Sequence, residues 1–138
     1  ITESALIRDT EATATMLNAV AALGIQLALD DFGTGYSSFE HLQLFPIHAL
    51  KIDRRFVDAI GKGVAQERLL TAMIRFARTL NLSVVAEGIE TAEQARFCNA
   101  HGCDLLQGYF YSRPVPAAQF EAQFLSKLAT QADPANPP

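Results

Sequence analysis

Polar and mostly acidic side chains stand at the ends of four short apolar runs in the sequence. They are Asp30, Asp31, Lys51, Asp53, Glu87 and Gln107. The carboxyl ends of neighbouring parallel strands converge on one mouth, so strands ending in this way would bring these groups together. Carboxylates that share a mouth repel one another unless a cation neutralises them. Because hard oxygen ligands around an open cavity favour Mg²⁺ or Mn²⁺, the pattern predicts a divalent metal site.

Each of these residues also has an ordinary structural explanation. Lys51 and Asp53 are two residues apart in a predicted strand, so both would project to the same side and could simply pair with each other. Asp53 also precedes Arg54 and Arg55, where it could cap a helix. For any single residue the structural explanation is at least as good as the functional one. Four strands that all end in polar groups favour the functional interpretation.

The elements that position these groups are short apolar runs alternating with longer amphipathic segments. The runs lack polar alternation and are too short for helices, which is typical of strands covered on both faces, and they occupy 27–29, 49–52, 84–86 and 105–106. Apolar stripes and capping residues predict helices over Thr10 to Leu23, Ser38 to Leu44, Gln66 to Leu80, Thr91 to about Gly102 and Ala117 to about Thr130. The string Thr91-Ala92-Glu93-Gln94 predicts a capping box at the start of the fourth of these helices.

This alternation predicts an α/β fold with right-handed βαβ units and a parallel sheet. A (β/α)8 barrel of the TIM type needs about 250 residues. A chain of 138 residues can therefore form roughly half of one, with about four parallel strands. A doubly wound open sheet is the alternative, but no glycine-rich dinucleotide fingerprint follows any strand. We expect residues 1–131 to form this partial barrel and the proline-rich residues 132–138 to be a disordered tail.

The composition of the chain limits which classes of binding partner and which cellular compartment we expect. A net charge of −4 does not provide the clustered Lys and Arg that a nucleic-acid polymer needs, whereas a small anionic ligand is possible if metal ions supply positive charge. No apolar run approaches the ~20 residues of a membrane span, so we expect no membrane contact by this segment. The chain opens with Ile1 and has no signal-peptide pattern. We expect a cytoplasmic segment of a longer protein, and the cytoplasmic part of a membrane-tethered protein would also satisfy this expectation.

The two cysteines, Cys98 and Cys103, have no zinc-type spacing with the histidines. A disulfide between them is conceivable. Reduced, half-buried thiols are the favoured interpretation in a cytosolic protein.

A glycine-containing segment after the first strand gives the most specific signal. The string Asp-Asp-Phe-Gly-Thr-Gly-Tyr-Ser-Ser spans 30–38, and Gly33 and Gly35 allow it to fold as a tight loop over the mouth. It is followed in order by Leu-Lys-Ile-Asp at 50–53, Val-Val-Ala-Glu-Gly-Ile-Glu-Thr at 84–91, Gln-Gly-Tyr at 107–109 and Ser-Arg-Pro-Val-Pro at 112–116. Together these strings closely resemble the EAL domain, the bacterial phosphodiesterase that linearises cyclic di-GMP, over nearly everything before the tail.

The resemblance implies a modified TIM barrel that uses two divalent cations, Mg²⁺ or Mn²⁺, to hydrolyse cyclic di-GMP to linear pGpG. It also implies roles for the polar residues named above. Asp30 would bridge both metals, and Asp31 and Glu87 would hold the second metal, with Glu87 also a candidate general base. Lys51 would orient or activate the attacking water, supported by Asp53 and Gln107.

The same resemblance implies supporting roles for four further residues, Glu3, Gly33, Gly35 and Glu90. Glu3 would anchor the loop that contains Gly33 and Gly35, and Glu90 would support the metal ligands from behind. In the family a homodimer is typical, and an attached sensor or GGDEF domain is a further expected partner.

The chain departs from the family pattern in what it lacks. The Glu-Ala-Leu string that supplies a metal ligand and the asparagine-bearing strand after it do not occur in the 138 residues. We therefore expect the C-terminal half of an EAL domain, which alone is inactive and prone to association because strand edges and apolar surface are left unpaired. The alternative is a degenerate EAL module that binds cyclic di-GMP or a protein partner without cleavage. A barrel enzyme that transfers protons with Lys51 and Glu87 ranks last.

Overall fold

The architecture is given by a computed structural model that describes residues 1–2, 10–34 and 44–125. Four strands within these residues form a single sheet, all parallel and in chain order. They are β1 Leu27–Phe32, β2 Ile47–Ile52, β3 Ser83–Glu87 and β4 Leu105–Gln107. The predicted α/β fold with about four parallel strands is confirmed. Beyond β1 the sheet continues at its edge with a parallel bridge between Thr2 and Asp30.

Helices precede, separate and follow the strands along the chain. They are α1 Thr10–Ala22, α2 Arg54–Val57, α3 Val64–Thr79, α4 Ala92–His101 and α5 Ala117–Phe120, which continues as a π-helical turn over Glu121–Leu125. The predicted capping box of α4 is present, because the Thr91 side chain accepts from the Gln94 N–H and the Gln94 side chain accepts from the Thr91 N–H. Gly102 ends α4 in the left-handed conformation with φ 96°. This is the arrangement that stops a helix with the least strain.

Several predicted boundaries differ from those observed. β1 extends three residues past Leu29, so that Asp30 and Asp31 lie inside the strand, and the short helix α2 was not predicted as an element. The predicted helix from Ser38 falls outside the described residues except at Leu44, and the last helix is described only as far as Leu125. Residues 132–138 also lie outside the described part, so their expected disorder stays a prediction.

The core lies between the sheet and its helices. Leu50 and Ile52 of β2 and Val84 and Ala86 of β3 are fully buried, packed in one cluster with Leu70, Ile74 and Ala77 of α3. A second cluster joins β1 and β2 to α1 through Leu17, Leu27, Leu29, Phe45 and Ile47. No described helix has the length and apolarity to cross a membrane.

The opposite face of the sheet was predicted to be covered as well, but within the described residues it is only partly buried. Its side chains alternate with the core residues and include Ala49 and Lys51 on β2 and Val85 and Glu87 on β3. This alternation explains how strands with apolar runs still present charged side chains to a single mouth.

Candidate metal centre

Asp30 and Asp31 reach the same mouth because β1 is irregular there. Between the paired positions Leu29 with Leu50 and Phe32 with Ile52, β1 advances three residues while β2 advances two. The extra residue is a β-bulge, which breaks the usual alternation of side chains. Asp31 takes up the distortion with φ 57°, a left-handed conformation that aspartate tolerates better than most residues. The bulge thus allows two consecutive aspartates to serve one site.

Lys51 occupies the middle of the site. Its Nζ lies 2.8 Å from Asp30 Oδ1 and 2.7 Å from Glu87 Oε1. The three side chains are 23%, 36% and 18% exposed for Lys51, Asp30 and Glu87 respectively, so the two ion pairs are partly screened from water. They join three neighbouring strands at their carboxyl ends.

The ion pair between Lys51 and Asp30 goes with a shifted pKa for each of these two residues. The hydrogen bond from Lys51 lowers the pKa of Asp30, and this effect exceeds the opposing effect of burial. Burial acts to lower the pKa of Lys51, but the hydrogen bonds and charges of Asp30 and Glu87 together raise it. At neutral pH the site therefore holds an ionised carboxylate and a protonated amine.

The carboxylates of Asp30, Asp31 and Glu87 form a cluster suited to a cation. One oxygen from each lies within 4.8 Å of the others. Three carboxylates and one ammonium leave a net charge of two negatives, which one divalent cation would neutralise. Because all the donors are hard oxygens, the cluster fits Mg²⁺, Mn²⁺ or Ca²⁺ better than a soft metal. The predicted metal ligands Asp30, Asp31 and Glu87 are brought together.

The loop after β3 is held in part by Arg54 and Gln94, to which the sequence assigned no role at the site. Gly88 has φ 73°, and a Cβ there would lie 2.6 Å from Cβ of Arg54, so the arginine stem packs directly against the residue after Glu87. The Arg54 guanidinium then pairs with Asp58 at 3.0 Å and with Glu90 at 3.2 Å. Gln94 accepts from the Glu90 N–H at 2.7 Å. Glu90 thus helps to fix the loop behind the carboxylate cluster.

Arg54 and Gln94 could have been found from sequence only in part. The capping box named Gln94, and the spacing of Arg54 to Asp58 is that of an ion pair one helical turn apart. The contact between Arg54 and Gly88 joins residues distant in sequence, and local patterns do not predict such contacts.

Asp53 caps a helix, which was the structural explanation considered for it from the sequence. Its Oδ1 accepts from the Arg55 backbone N–H at 2.8 Å and from Arg55 Nε at 2.9 Å, and the residue caps α2. Lys51 pairs with Asp30 and Glu87, and not with Asp53 as the local spacing had suggested. The expected support of a catalytic water by Asp53 stays a prediction.

The remaining predicted site residues are Gln107, Gly33, Glu3 and Gly35. Gln107 lies at the end of β4 beside Glu87 in the register, and its backbone carbonyl accepts from the Ile89 N–H. Gly33 has φ 92° and its Cα faces Phe56, whose ring carbon would lie 2.7 Å from an added Cβ, so this position requires glycine. Glu3 and Gly35 fall outside the described residues.

Comparison with known proteins gives consistent matches. The family model of the EAL domain matches residues 1–114. The signaling protein YkoW of Bacillus subtilis is 43% identical over 131 residues, which are 95% of this chain and 16% of YkoW. The cyclic di-GMP phosphodiesterase NbdA of Pseudomonas aeruginosa is 42% identical over 134 residues, which are 97% of this chain and 17% of NbdA. The chain thus spans about a sixth of the length of these curated relatives.

Comparison with solved structures gives the same family of proteins. The PaMucR phosphodiesterase in complex with c-di-GMP superimposes with a TM-score of 0.82 at 42% identity, covering 87% of this chain and 49% of that one. A manganese and c-di-GMP complex of BlrP1 from Klebsiella pneumoniae gives a TM-score of 0.74 at 34% identity, covering 82% of this chain and 29% of that one. Such structures are TIM-barrel-like α/β folds, and relatives hold divalent metal ions. The chain belongs to the EAL domain family.

Proposed function

We propose that this chain contributes the carboxylate cluster and the lysine of a cyclic di-GMP phosphodiesterase site, in which a divalent-metal-assisted hydrolysis gives linear pGpG. The observation that carries the proposal is the convergence of Asp30, Asp31 and Glu87 with Lys51 at one mouth. Relatives named as cyclic di-GMP phosphodiesterases support the substrate. We expect the chain on its own to be inactive, since the Glu-Ala-Leu string is not among its residues.

The carboxylates would hold the cations, two Mg²⁺ or Mn²⁺ in a complete site. Asp30 Oδ1 accepts from the Asp31 backbone N–H and from Lys51 Nζ, and its assignment as the shared ligand rests on the family resemblance. When bound, the cations supply Lewis acidity and charge stabilisation for displacement at phosphorus. Glu87 and Asp31 would hold the second cation together with Asp30.

Lys51 would act as a cation and a hydrogen-bond donor. Its pKa is raised, so Nζ carries its proton at neutral pH and does not act as a base in this state. It can instead orient water or a phosphate oxygen at the mouth, which agrees with the water-positioning role that the resemblance implied. Glu87, held at 2.7 Å by Lys51, is the candidate that accepts a proton from the attacking water as one ester P–O bond breaks.

By analogy with the family, we also expect a cytoplasmic location, a homodimer and an attached sensor or GGDEF domain. Gln107 and Asp53 are proposed to support the attacking water, and Glu90 to hold the loop that carries Glu87.

A chimera tests the function without requiring activity of the chain alone. Residues 1–125 would replace the corresponding segment of the PaMucR phosphodiesterase, to which the chain is 42% identical. We expect the chimera to convert c-di-GMP to pGpG with Mn²⁺, and Glu87→Gln in the chimera to reduce kcat about 100-fold or more. A folded chimera that binds c-di-GMP without cleaving it would contradict the proposal and support a non-catalytic binding module. Glu93→Gln, an exposed glutamate on α4, is the matched control and should leave kcat unchanged.

A further inference from the structure

The end of α4 brings the two cysteines of the chain together. Gly102, in the left-handed conformation, donates from its N–H to the Asn99 carbonyl at 3.1 Å, and the Cys103 N–H donates to the Cys98 carbonyl at 3.0 Å. These two hydrogen bonds define a Schellman motif, in which the side chains at the positions of Cys98 and Cys103 contact each other. An apolar pair usually fills these positions, and here both are thiols.

The two thiols interact with each other inside the core. Both are free, with Cys98 fully buried and Cys103 8% exposed, in the same core cluster as α3 and β3. The hydrogen bond with Cys98 and burial raise the pKa of the Cys103 thiol. Disulfides form between residues with Cα atoms about 4.4–6.8 Å apart, and a direct backbone hydrogen bond between the two residues keeps their backbones in contact.

We propose that Cys98 and Cys103 are a modification site, a thiol pair that closes to an intrachain disulfide on reaction with a low-molecular-weight disulfide such as glutathione disulfide. The backbone hydrogen bond between Cys103 and Cys98 already holds the two residues side by side at the end of α4. The reaction involves none of the residues of the carboxylate cluster.

The exchange balances with glutathione disulfide as the oxidant. The thiolate of one cysteine attacks a glutathione sulfur, the S–S bond of glutathione disulfide breaks, and one glutathione thiolate leaves. The second cysteine thiolate then attacks the mixed disulfide and releases the second glutathione. The chain loses two protons and two electrons, and glutathione disulfide is reduced to two thiols. Because both thiols are buried, attack requires opening of the last turn of α4, so the reaction is slow in the folded chain.

The bridge would connect α4 to the start of β4. Asp104, next to Cys103, accepts from the Val84 N–H at 2.7 Å and thereby ties the same turn to β3. Closing the disulfide restrains the unfolded chain more than the folded one, so the oxidised chain should melt a few degrees higher than the reduced chain.

The test is oxidation of the purified full chain by excess glutathione disulfide, followed by mass spectrometry under denaturing, non-reducing conditions. The chain has only two cysteines, so a monomer about 2 Da lighter, without reactive thiols, contains this bridge. We expect that product to dominate, and we expect the ratio of bridged chain to mixed disulfide to be about tenfold or more higher for the folded chain than in denaturing urea. Cys98→Ala and Cys103→Ala should each carry at most one glutathione.

Three results would overturn the proposal. The first is that both thiols stay free in a chain shown by circular dichroism to be folded. The second is accumulation of a single-glutathione adduct or of covalent dimers in place of the bridged monomer. The third is an equal ratio of bridged to mixed disulfide in the folded and urea-unfolded chains, because the helix end would then contribute nothing to the pairing.

Discussion

Lys51 provides a positive charge between two carboxylates at the mouth of the sheet. Asp30 and Glu87 on the neighbouring strands both lie within hydrogen-bonding distance of its Nζ. Without a metal ion, Lys51 is the cation that keeps these carboxylates close to each other. A bound cation would take over part of this neutralisation, so lysine and metal should be partly interchangeable as stabilising charges.

Replacing Lys51 tests this interchange. Lys51→Met keeps the unbranched stem of the side chain and removes the ammonium group, which should destabilise the metal-free chain by about 1–2 kcal/mol, between the values for exposed and buried pairs. Added Mn²⁺ should stabilise the variant more than the wild type. Urea unfolding with EDTA and with Mn²⁺ measures both effects. Lys62→Met, at an exposed position, is the control, and equal stabilisation of all three chains by Mn²⁺ would contradict the account.

The pH dependence of stability follows from the same pair. The pKa of Asp30 is lowered below its ordinary value of 3.8, so its contribution is present above that value and is lost as the pH falls through the lower folded pKa. The pKa of Lys51 is raised above 10.5, so its contribution is present below that value and is lost as the pH rises through the higher folded pKa. The difference in unfolding free energy between wild type and Lys51→Met, measured in EDTA, should be constant between about pH 5 and 9 and shrink outside that window. A difference that changes steadily across neutral pH would be inconsistent with these shifts.

At the scale of elements, the bulge in β1 decides whether two consecutive aspartates can serve one site. A regular strand would send Asp30 and Asp31 to opposite faces. The left-handed φ of Asp31 is accessible to aspartate and asparagine and unfavourable for a β-branched residue. Substitutions of Asp31 can therefore test the effect of its charge separately from the effect of its backbone conformation.

Two variants of Asp31 make the separation. Asp31→Asn should retain the bulge and the stability of the chain while weakening Mn²⁺ binding about tenfold or more. Asp31→Val should destabilise the chain by about 1–3 kcal/mol, because valine cannot adopt this conformation without strain. Thermal unfolding and Mn²⁺ titration distinguish the two effects. Unchanged stability in Asp31→Val would show that the bulge does not depend on this residue.

The elements themselves were largely predictable from sequence. Apolar runs identified all four strands, and the Thr91 capping box identified the start of α4. The bulge was not predictable, because residue patterns give periodicity within a strand and not the register between strands. For the same reason the spacing of Lys51 and Asp53 suggested a local pair, whereas Lys51 pairs across to the neighbouring strands. Asp30, Asp31, Lys51 and Glu87 were chosen by residue type and lie together in the structure, but their contact partners were set by tertiary packing.

At the scale of the whole molecule, the β4 side of the sheet presents apolar surface. Among the described residues β4 pairs only with β3. Around this edge lies an open groove of about 890 Å³ lined by aromatic and aliphatic side chains, including Tyr109, Tyr111, Phe120 and Leu125. These side chains and Leu105 are about half exposed or more. Unpaired strand edges and contiguous apolar patches favour association.

The isolated chain should therefore associate in a concentration-dependent manner. Sedimentation velocity over a range of concentrations should show a growing weight-average mass. Leu105→Lys places a charge at the edge and should shift the association to higher concentration. Leu23→Lys, at an exposed position directly after α1, should not shift it. A monomer at every concentration, with a sharp unfolding transition, would contradict this expectation.

The central claim is that Asp30, Asp31 and Glu87 form a divalent cation site, and calorimetric titration of the purified chain with Mn²⁺ tests it most directly. We expect saturable binding by the wild type, a Kd about tenfold or more weaker in Glu87→Gln, and an unchanged Kd in Glu11→Gln, whose glutamate is exposed on α1. No binding by the folded wild type, or equal affinity in all three chains, would contradict the claim.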